Sequence, residues 1–366
     1  MAKERVVVKI GSSSLTRPDG GLDLNRIDMV CAAVAAQSRK DKEIIVVTSG
    51  SIAAGLGPLG LDTPPSDLSL AQAAASIGQG ILMTRWTQAF TLYGKVTGQI
   101  LLTAPDMMRR EHYANARQAL ERLLALGVVP IVNENDAVAT DELRLGDNDR
   151  LAALVSHLVT ADRLILLTDV DGLYTASPRT PGARLIPKVS SPDELQDISV
   201  TTRGSGLGTG GMVTKVIAAS MAAANGTKVR VTSADNLVPA LGGEDVGTLF
   251  TPTGTRRGAR RLWLAYAADS QGSIFVDAGA VHAITAGKHS LLAAGVRGYS
   301  GPFSAGDVVN ILGEDGQIVA RGFSGYSQAE LEQILAMPDR SLAPRPVVHR
   351  DDLAELWPGA KTIVLK

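Results

Sequence analysis

Residues 132–153 read VNENDAVATDELRLGDNDRLAA. The stretch carries Asn133, Glu134, Asn135, Asp136, Asp141, Glu142, Asp147, Asn148 and Asp149, between the apolar runs VVPIV and LAALVSHLV. Acceptors packed this densely are too costly to bury without partners. They must face water, a cation or a polar ligand. The run before them is short and β-branched, as in a buried strand, and the run after them has helical spacing. A strand therefore delivers the acidic segment and a helix carries the chain away.

The same unit repeats on both sides. ERVVVKI (4–10), KEIIVVT (42–48), VTGQILLT (96–103), RLILLT (163–168) and TKVRVTS (227–233) read as strands. Residues 25–39, 69–93, 113–126, 151–160 and 212–224 have helical periodicity. This alternation predicts an α/β fold, a parallel sheet covered by helices on both faces. The Ala- and Gln-rich helix 69–93 has residues small enough to pack closely on another helix or subunit.

In such sheets ligands sit at the carboxyl ends of the strands. Lys9 lies inside the first apolar run, and Gly11-Ser12-Ser13-Ser14 follows it. The second strand ends in TSGSIAAG (48–55), where Ser49 and Gly50 offer donors to an anion at a helix start. A tight turn without a ligand is the other reading of that loop. Asp169-Val170-Asp171-Gly172 follows the strand 163–168 and lacks the closing Glu of a calcium loop. In TTRGSGLGTGGMVTK (201–215), Gly206, Gly208 and Gly211 match G-x-G-x-x-G, but no strand precedes them, so a dinucleotide fingerprint is rejected. What remains is a glycine loop running into a helix with Lys215 in its first turn: backbone donors, a dipole and a cation for a phosphate.

Composition sets the outer limits. The chain has 366 residues, 45% of them hydrophobic, a net charge of -1 and a mean hydropathy of +0.11. Two domains fit that length. No broad basic surface points to nucleic acid. Cys31 is the sole cysteine and sits in an apolar helix, so it reads as a core residue. The first residues enter a strand without a signal-peptide core, and no apolar run approaches the ~18 residues of a membrane span. A cytoplasmic location is expected. TPTGTRRGARR (251–261), rich in Gly, Thr and Arg, marks a domain boundary, and residues 256–272 read as a linker after a domain spanning 1–255. Residues 273–366 then show short β-like pieces, SIFVDAG, AVHAITA, DVVNILG and QIVARGFSGY, as in a small β-barrel. His349-Arg350-Asp351 spells the kinase catalytic triplet, but too little chain follows for that reading.

Taken together, VVVKIGSSSL, IVVTSGSIAAG, IVNENDAV with GDNDRLAALV, and LLTDVDGLY with GTGGMVTKV resemble the amino acid kinase family. AGKHSLLAAGV, GPFSAGDVV and IVARGFSGYS are similar to a PUA domain. The resemblance covers nearly the whole chain and implies an amino acid kinase-like parallel-sheet sandwich (α/β/α) followed by a PUA-like β-barrel. It implies ATP as co-substrate with Mg²⁺, and, among family members, those that phosphorylate the γ-carboxylate of L-glutamate at the start of proline synthesis. By the same resemblance Lys9 and Lys215 contact the ATP phosphates and Asp149 orients both lysines. Thr168 and Asp169 lie along the nucleotide, which Thr209, Gly210, Gly211, Met212, Val213, Thr214 and Lys215 wrap. Ser49, Asp136 and Asn148 hold the substrate. Val213 stands where small polar residues are common in the family; backbone contacts make that departure minor. The resemblance assigns no metal ligands. It further implies feedback inhibition by proline, a glutamyl phosphate reductase as partner and a homo-oligomer; the charge and hydropathy above, not the resemblance, argue against nucleic acid and membrane. Other acceptors of the same fold (aspartate, acetylglutamate, carbamate, a nucleoside monophosphate) are the nearest alternatives. An RNA-binding protein with a regulatory kinase fold is the alternative from another class.

Overall fold

The computed structural model describes residues 3–17, 21–38, 42–103, 106–107, 109–139, 148–195, 211–253, 264, 270–286 and 289–355. The chain divides into two units, residues 1–259 and 260–366. The linker expected at 256–272 lies largely outside the described residues, as do Asp141, Glu142, Asp147, Thr209 and Gly210.

Valine and isoleucine runs build the middle of the first unit's sheet because their branched side chains suit a strand buried on both faces. β1 (Glu4–Lys9) pairs in parallel with β2 (Lys42–Val47) on one side and β5 (Arg163–Thr168) on the other. β3 (Thr97–Leu102) and β4 (Val129–Glu134) extend the sheet beyond β2. β6 (Lys188–Val189), β7 (Lys228–Ser233) and β8 (Thr248–Phe250) complete the order β3-β4-β2-β1-β5-β7-β8-β6. All pairs are parallel except β7 with β8. The wholly parallel sheet expected from the alternation is thus corrected at one edge. Between β7 and β8 stand only a single 3-10 turn (Ala234–Asn236) and the short helix α8 (Leu237–Gly242, so numbered in the series given next). With so little crossover the chain turns back through the left-handed Gly243 and Gly247 and pairs antiparallel.

The helices of this unit are α1 (Ser12–Leu15), α2 (Leu24–Ser38), α3 (Ser51–Leu56), α4 (Leu68–Thr91), α5 (Arg110–Ala125), α6 (Asn148–Leu158), α7 (Met212–Ala224) and α8. Val6, Val8 and Ile10 of one sheet face pack with Ile27, Val30, Cys31 and Val34 of α2, with Leu82, Trp86 and Phe90 of α4, and with Leu237 and Leu241 of α8. α6 and α7 pack on each other and on β1, β5 and β7. Cys31 is fully buried, and that burial first, with Asp28 second, pushes its thiol up, as befits a core residue. No helix among the described residues is long and apolar enough to cross a membrane.

At the amino ends of the central strands a charged cluster ties neighbours together. Arg5 pairs with Glu43 at 2.7 Å and Arg163 with Glu4 at 2.6 Å, while Lys42 Nζ donates to Leu241 O at 2.5 Å. On the helical layer, α3 crosses α4 at two glycines. A Cβ on Gly78 would land inside the contact radius of Ser51 O, and one on Gly55 inside that of Ala74 O. The small-residue packing expected of the long helix is therefore used against α3. Gly78→Ala gains ~1 kcal/mol of helix propensity but forces two backbones apart at an overpacking cost of ~1–3 kcal/mol or more. A lower melting temperature by thermal unfolding is the expected result. Thr160, just past α6, holds φ at 52°, a left-handed conformation that costs a β-branched residue ~1–2 kcal/mol. Thr160→Gly is accordingly expected to raise the melting temperature; an unchanged or lower value would show that the Thr160 side chain compensates its strain.

In the second unit β9 (Gly272–Val276), β10 (Val296–Ser300), β11 (Val308–Leu312), β12 (Ile318–Phe323) and β13 (Leu353–Glu355) form a five-stranded sheet in the order β10-β9-β11-β12-β13. Ile274, Val276, Val309, Ile311 and Val348 are in its core, with Leu331 from the helix α10 (Gln328–Leu335). AVHAITA, expected as a β-like piece, belongs instead to the helix α9 (Ala278–Thr285). Asp277 caps it by accepting from Ala280 N at 2.8 Å, and with the alanines this outweighs the strand preference of Val281, Ile284 and Thr285.

Candidate active site

β1, β2, β4 and β5 end on the same side of the sheet, and each hands its last residues to the site. β1 ends at Lys9, which is only 2% exposed although it carries a charge. Its partner stands in the first turn of α6. The sequence reading placed the start of that helix at 151; it starts at Asn148, so Asn148 and Asp149 belong to a rigid turn instead of a loop. Packing of α6 against α7 brings the first turn of α7 to the same point. Lys9 Nζ lies 2.6 Å from Asp149 Oδ1, and Lys215 Nζ lies 3.0 Å from Asp149 Oδ2. Thr214 donates its hydroxyl to Asp149 Oδ2 at 3.2 Å and to Gly211 O at 2.8 Å, two contacts that share one proton.

Asp149 is fully buried and Lys215 is 6% exposed. A buried ammonium is tolerated only beside a counter-charge. Here one carboxylate serves two ammonium groups, so the triad itself carries one net positive charge. That surplus suits an anion of high charge. The amino end of α7, opened by Gly211, adds N–H groups that have no partner within the helix and the positive end of its dipole. Gly11 closes on Lys9: a Cβ there would stand 3.3 Å from Lys9 Nζ. Met212 and Val213 occupy the first turn of α7. Thr168, buried at the end of β5, donates to the exposed Asp169 carboxylate at 3.0 Å.

Asn148 turns away from Asp149 toward the ends of β2 and β4. Its Nδ2 lies 2.8 Å from Thr48 O, 2.9 Å from Ser49 Oγ and 2.8 Å from Asn133 Oδ1. The Thr48 carbonyl can only accept, so the amide nitrogen of Asn148 is the group facing it. The carboxamide oxygen then points the other way, buried and without a hydrogen-bond partner among the described residues. A buried acceptor left open costs ~1–3 kcal/mol, so this oxygen is a strong candidate for a ligand's donor. Ser49 is followed by Gly50 at φ 99°, a left-handed cap that a side chain would strain. Ser51 then donates to Asp136 Oδ2 at 2.6 Å. A continuous path results: Asp136, Ser51, Ser49, Asn148, Asp149 and the two lysines.

Thus Lys9, Ser49, Asp136, Asn148, Asp149, Thr214 and Lys215 are joined by hydrogen bonds or ion pairs and short chain links, with Thr168 at the end of β5 and Asp169 just after it, beside β1. Thr48, Ser51, Asn133 and Gln79 also enter the network, and none was singled out as a site residue from sequence. Ser51 and Thr48 were inside the quoted loop TSGSIAAG. Gln79, which accepts from Asn133 Nδ2 at 2.8 Å, lies in a helix read only for packing.

A model of the amino acid kinase family matches residues 4–233, and a PUA domain model matches residues 272–340. A glutamate 5-kinase of Frankia casuarinae is 51% identical over 363 residues, covering 97% of each chain. One of Streptomyces coelicolor is 50% identical, again over 97% of each chain. Among solved structures, a carbamate kinase from Giardia lamblia bound to AMP-PNP superposes with a TM-score of 0.52 at 16% identity, over 69% of this chain and 99% of that one. The last likeness concerns the fold alone.

Proposed function

The chain belongs to the amino acid kinase family, and we propose that it transfers the γ-phosphoryl group of ATP to the γ-carboxylate of L-glutamate, giving L-glutamyl 5-phosphate and ADP in the first step of proline biosynthesis. The observation that carries this reading is Asp149 held between Lys9 and Lys215 while its neighbour Asn148 reaches Ser49. One helix turn thereby joins a polyanion site to a small polar pocket. Half-identical relatives described as glutamate 5-kinases support the choice of acceptor.

The mechanism follows from charge. A γ-carboxylate with a solution pKa near ~4.3 is already ionised at neutral pH, so no general base is needed. One of its oxygens attacks the γ-phosphorus as the bond to the ADP oxygen breaks. The obstacle is bringing an anion to a polyanion. Lys9 and Lys215 offset that repulsion and hold charge on the transferring group. Asp149 fixes both ammonium groups so that neither reorganises during transfer. Gly211, Met212 and Val213 offer backbone N–H groups at the start of α7, and Thr168 and Asp169 flank the nucleotide; Thr209 and Gly210 belong to the same proposed wrap. On the other side, Asp136 and the open oxygen of Asn148 suit the α-ammonium, and Ser49 offers a hydroxyl to the substrate.

Mg²⁺ fits as an ion carried by the nucleotide. Among the described residues no three His, Cys, Asp or Glu side chains converge on a common point, and Asp149 is already shared between two ammonium groups. Phosphate oxygens and waters are the natural ligands for such an ion. When bound it would neutralise charge between the β- and γ-phosphates.

The product, an acyl phosphate, hydrolyses readily, which calls for a glutamyl phosphate reductase to consume it. Proline as feedback inhibitor, self-association and a cytoplasmic location complete the proposal. The test is ADP release with glutamate plus hydroxylamine, which traps an acyl phosphate as the hydroxamate. Hydroxamate is expected with glutamate; hydroxamate or ADP only with aspartate, acetylglutamate or carbamate would move the assignment to that acceptor.

A further inference from the structure

We propose that Gln79 is a substrate-binding residue, its Nε2 donating to the α-carboxylate of the amino acid; the inference rests on the glutamate reading above. It follows from the polarity of a chain of amides. Thr48 O can only accept, so Asn148 presents Nδ2 to it. The same nitrogen donates to Asn133 Oδ1 at 2.8 Å. With its oxygen so engaged, Asn133 presents Nδ2 to Gln79 Oε1, also at 2.8 Å. One backbone carbonyl thus sets the orientation of three consecutive side chains. The two ends of the chain differ. At Asn148 an acceptor, Oδ1, is buried and open among the described residues. At Gln79 a donor is open: Oε1 is taken by Asn133, and Nε2 has no partner among the described residues.

An α-amino acid matches that pair of ends, since its ammonium donates and its carboxylate accepts. Gln79 is also delivered to the right place. Gln72, two turns earlier on the same face of α4, donates to Ala139 O at 3.0 Å, so this face runs along the segment from Asn133 through Asp136 to Ala139. Gly78 beside it lets α4 lie directly on Ser51, the residue that holds Asp136. Gln79 is partly exposed, unlike the buried Asn133 and Asn148, as expected of a group that meets an incoming ligand.

The alternative is that Gln79 only braces Asn133, and two substitutions separate the roles. Gln79→Met removes both the donor and the acceptor. Gln79→Glu keeps an acceptor for Asn133 but removes the donor and sets a negative charge where the α-carboxylate would lie. The readouts are the KM for glutamate, the KM for ATP, and the inhibition constant of 4-aminobutanoate, which lacks the α-carboxylate. A contact to that carboxylate raises the glutamate KM about ten-fold in Gln79→Met and further, to about a hundred-fold, in Gln79→Glu. The 4-aminobutanoate constant and the ATP KM stay within about two-fold. A Gln79→Glu enzyme with the wild-type glutamate KM would overturn the proposal in favour of bracing. So would a parallel rise in the 4-aminobutanoate constant, which would mean general damage to the pocket. Failure of the wild-type enzyme to phosphorylate glutamate at all would overturn the acceptor assignment itself, an outcome distinct from either variant result.

Discussion

Lys215→Ala lowers kcat by about a thousand-fold while the KM for glutamate changes by no more than a few-fold. The two ends of the site lead to that split. Lys215 meets Asp149 at 3.0 Å, in the half of the site proposed for the nucleotide. Ser49, Asn133 and Asn148 are joined to one another in the other half. An ammonium group placed against a transferring phosphoryl group contributes about 3–4 kcal/mol in the transition state when the site excludes water, and little of that is present in the ground state of the amino acid. The loss therefore falls on the chemical step. Folding should survive, because Asp149 keeps Lys9 at 2.6 Å and the remaining pair is neutral. Steady-state kinetics with both substrates varied is the check. An unchanged kcat would remove Lys215 from the mechanism.

Asp149→Asn has a different signature, since it damages catalysis and stability together. The amide keeps the shape and can still accept from one neighbour. It cannot neutralise two ammonium groups that are 2% and 6% exposed. Removing the shared partner of a buried charged set costs about 3–5 kcal/mol, a large part of the whole stability of a domain. Activity falls by about a thousand-fold or more, because each lysine loses its anchor. The melting temperature drops, and ADP restores more of it than in the wild type, because its phosphates supply the missing negative charge. Thermal unfolding with and without ADP, beside the hydroxamate assay, reads both effects. A variant with wild-type stability would show that the lysines are held by other groups.

Sequence and structure agree most closely where chemistry interrupts a pattern. Lys9 stands at the end of a valine run, and Asn148-Asp149 precede an apolar helix; such positions are odd for polar residues and so draw notice. β1, β2 and β5 are found to within a residue because a strand buried on both faces leaves an unbroken apolar run. The antiparallel return to β8 escaped, since a three-residue strand has no period to detect. α9 escaped because its alanines and β-branched residues support either reading until the Asp277 cap is weighed. Gln79 and Gly78 escaped for another reason: α4 is Ala-rich, and a single glutamine on it carries no motif. Its partner Asn133 lies 54 residues away, and only the crossing of α4 with α3 brings its face beside Ser51.

The charged cluster of Arg5, Glu43, Arg163 and Glu4 sits at the opposite pole of the very strands that end at Lys9 and Thr168. Such partly exposed pairs contribute under about 1 kcal/mol each. A lineage can gain, lose or exchange them one at a time and drift toward heat or cold without disturbing the reacting atoms. Thermal adaptation and substrate choice are written at different ends of the same strands, so protein engineers can tune the first while leaving the second untouched.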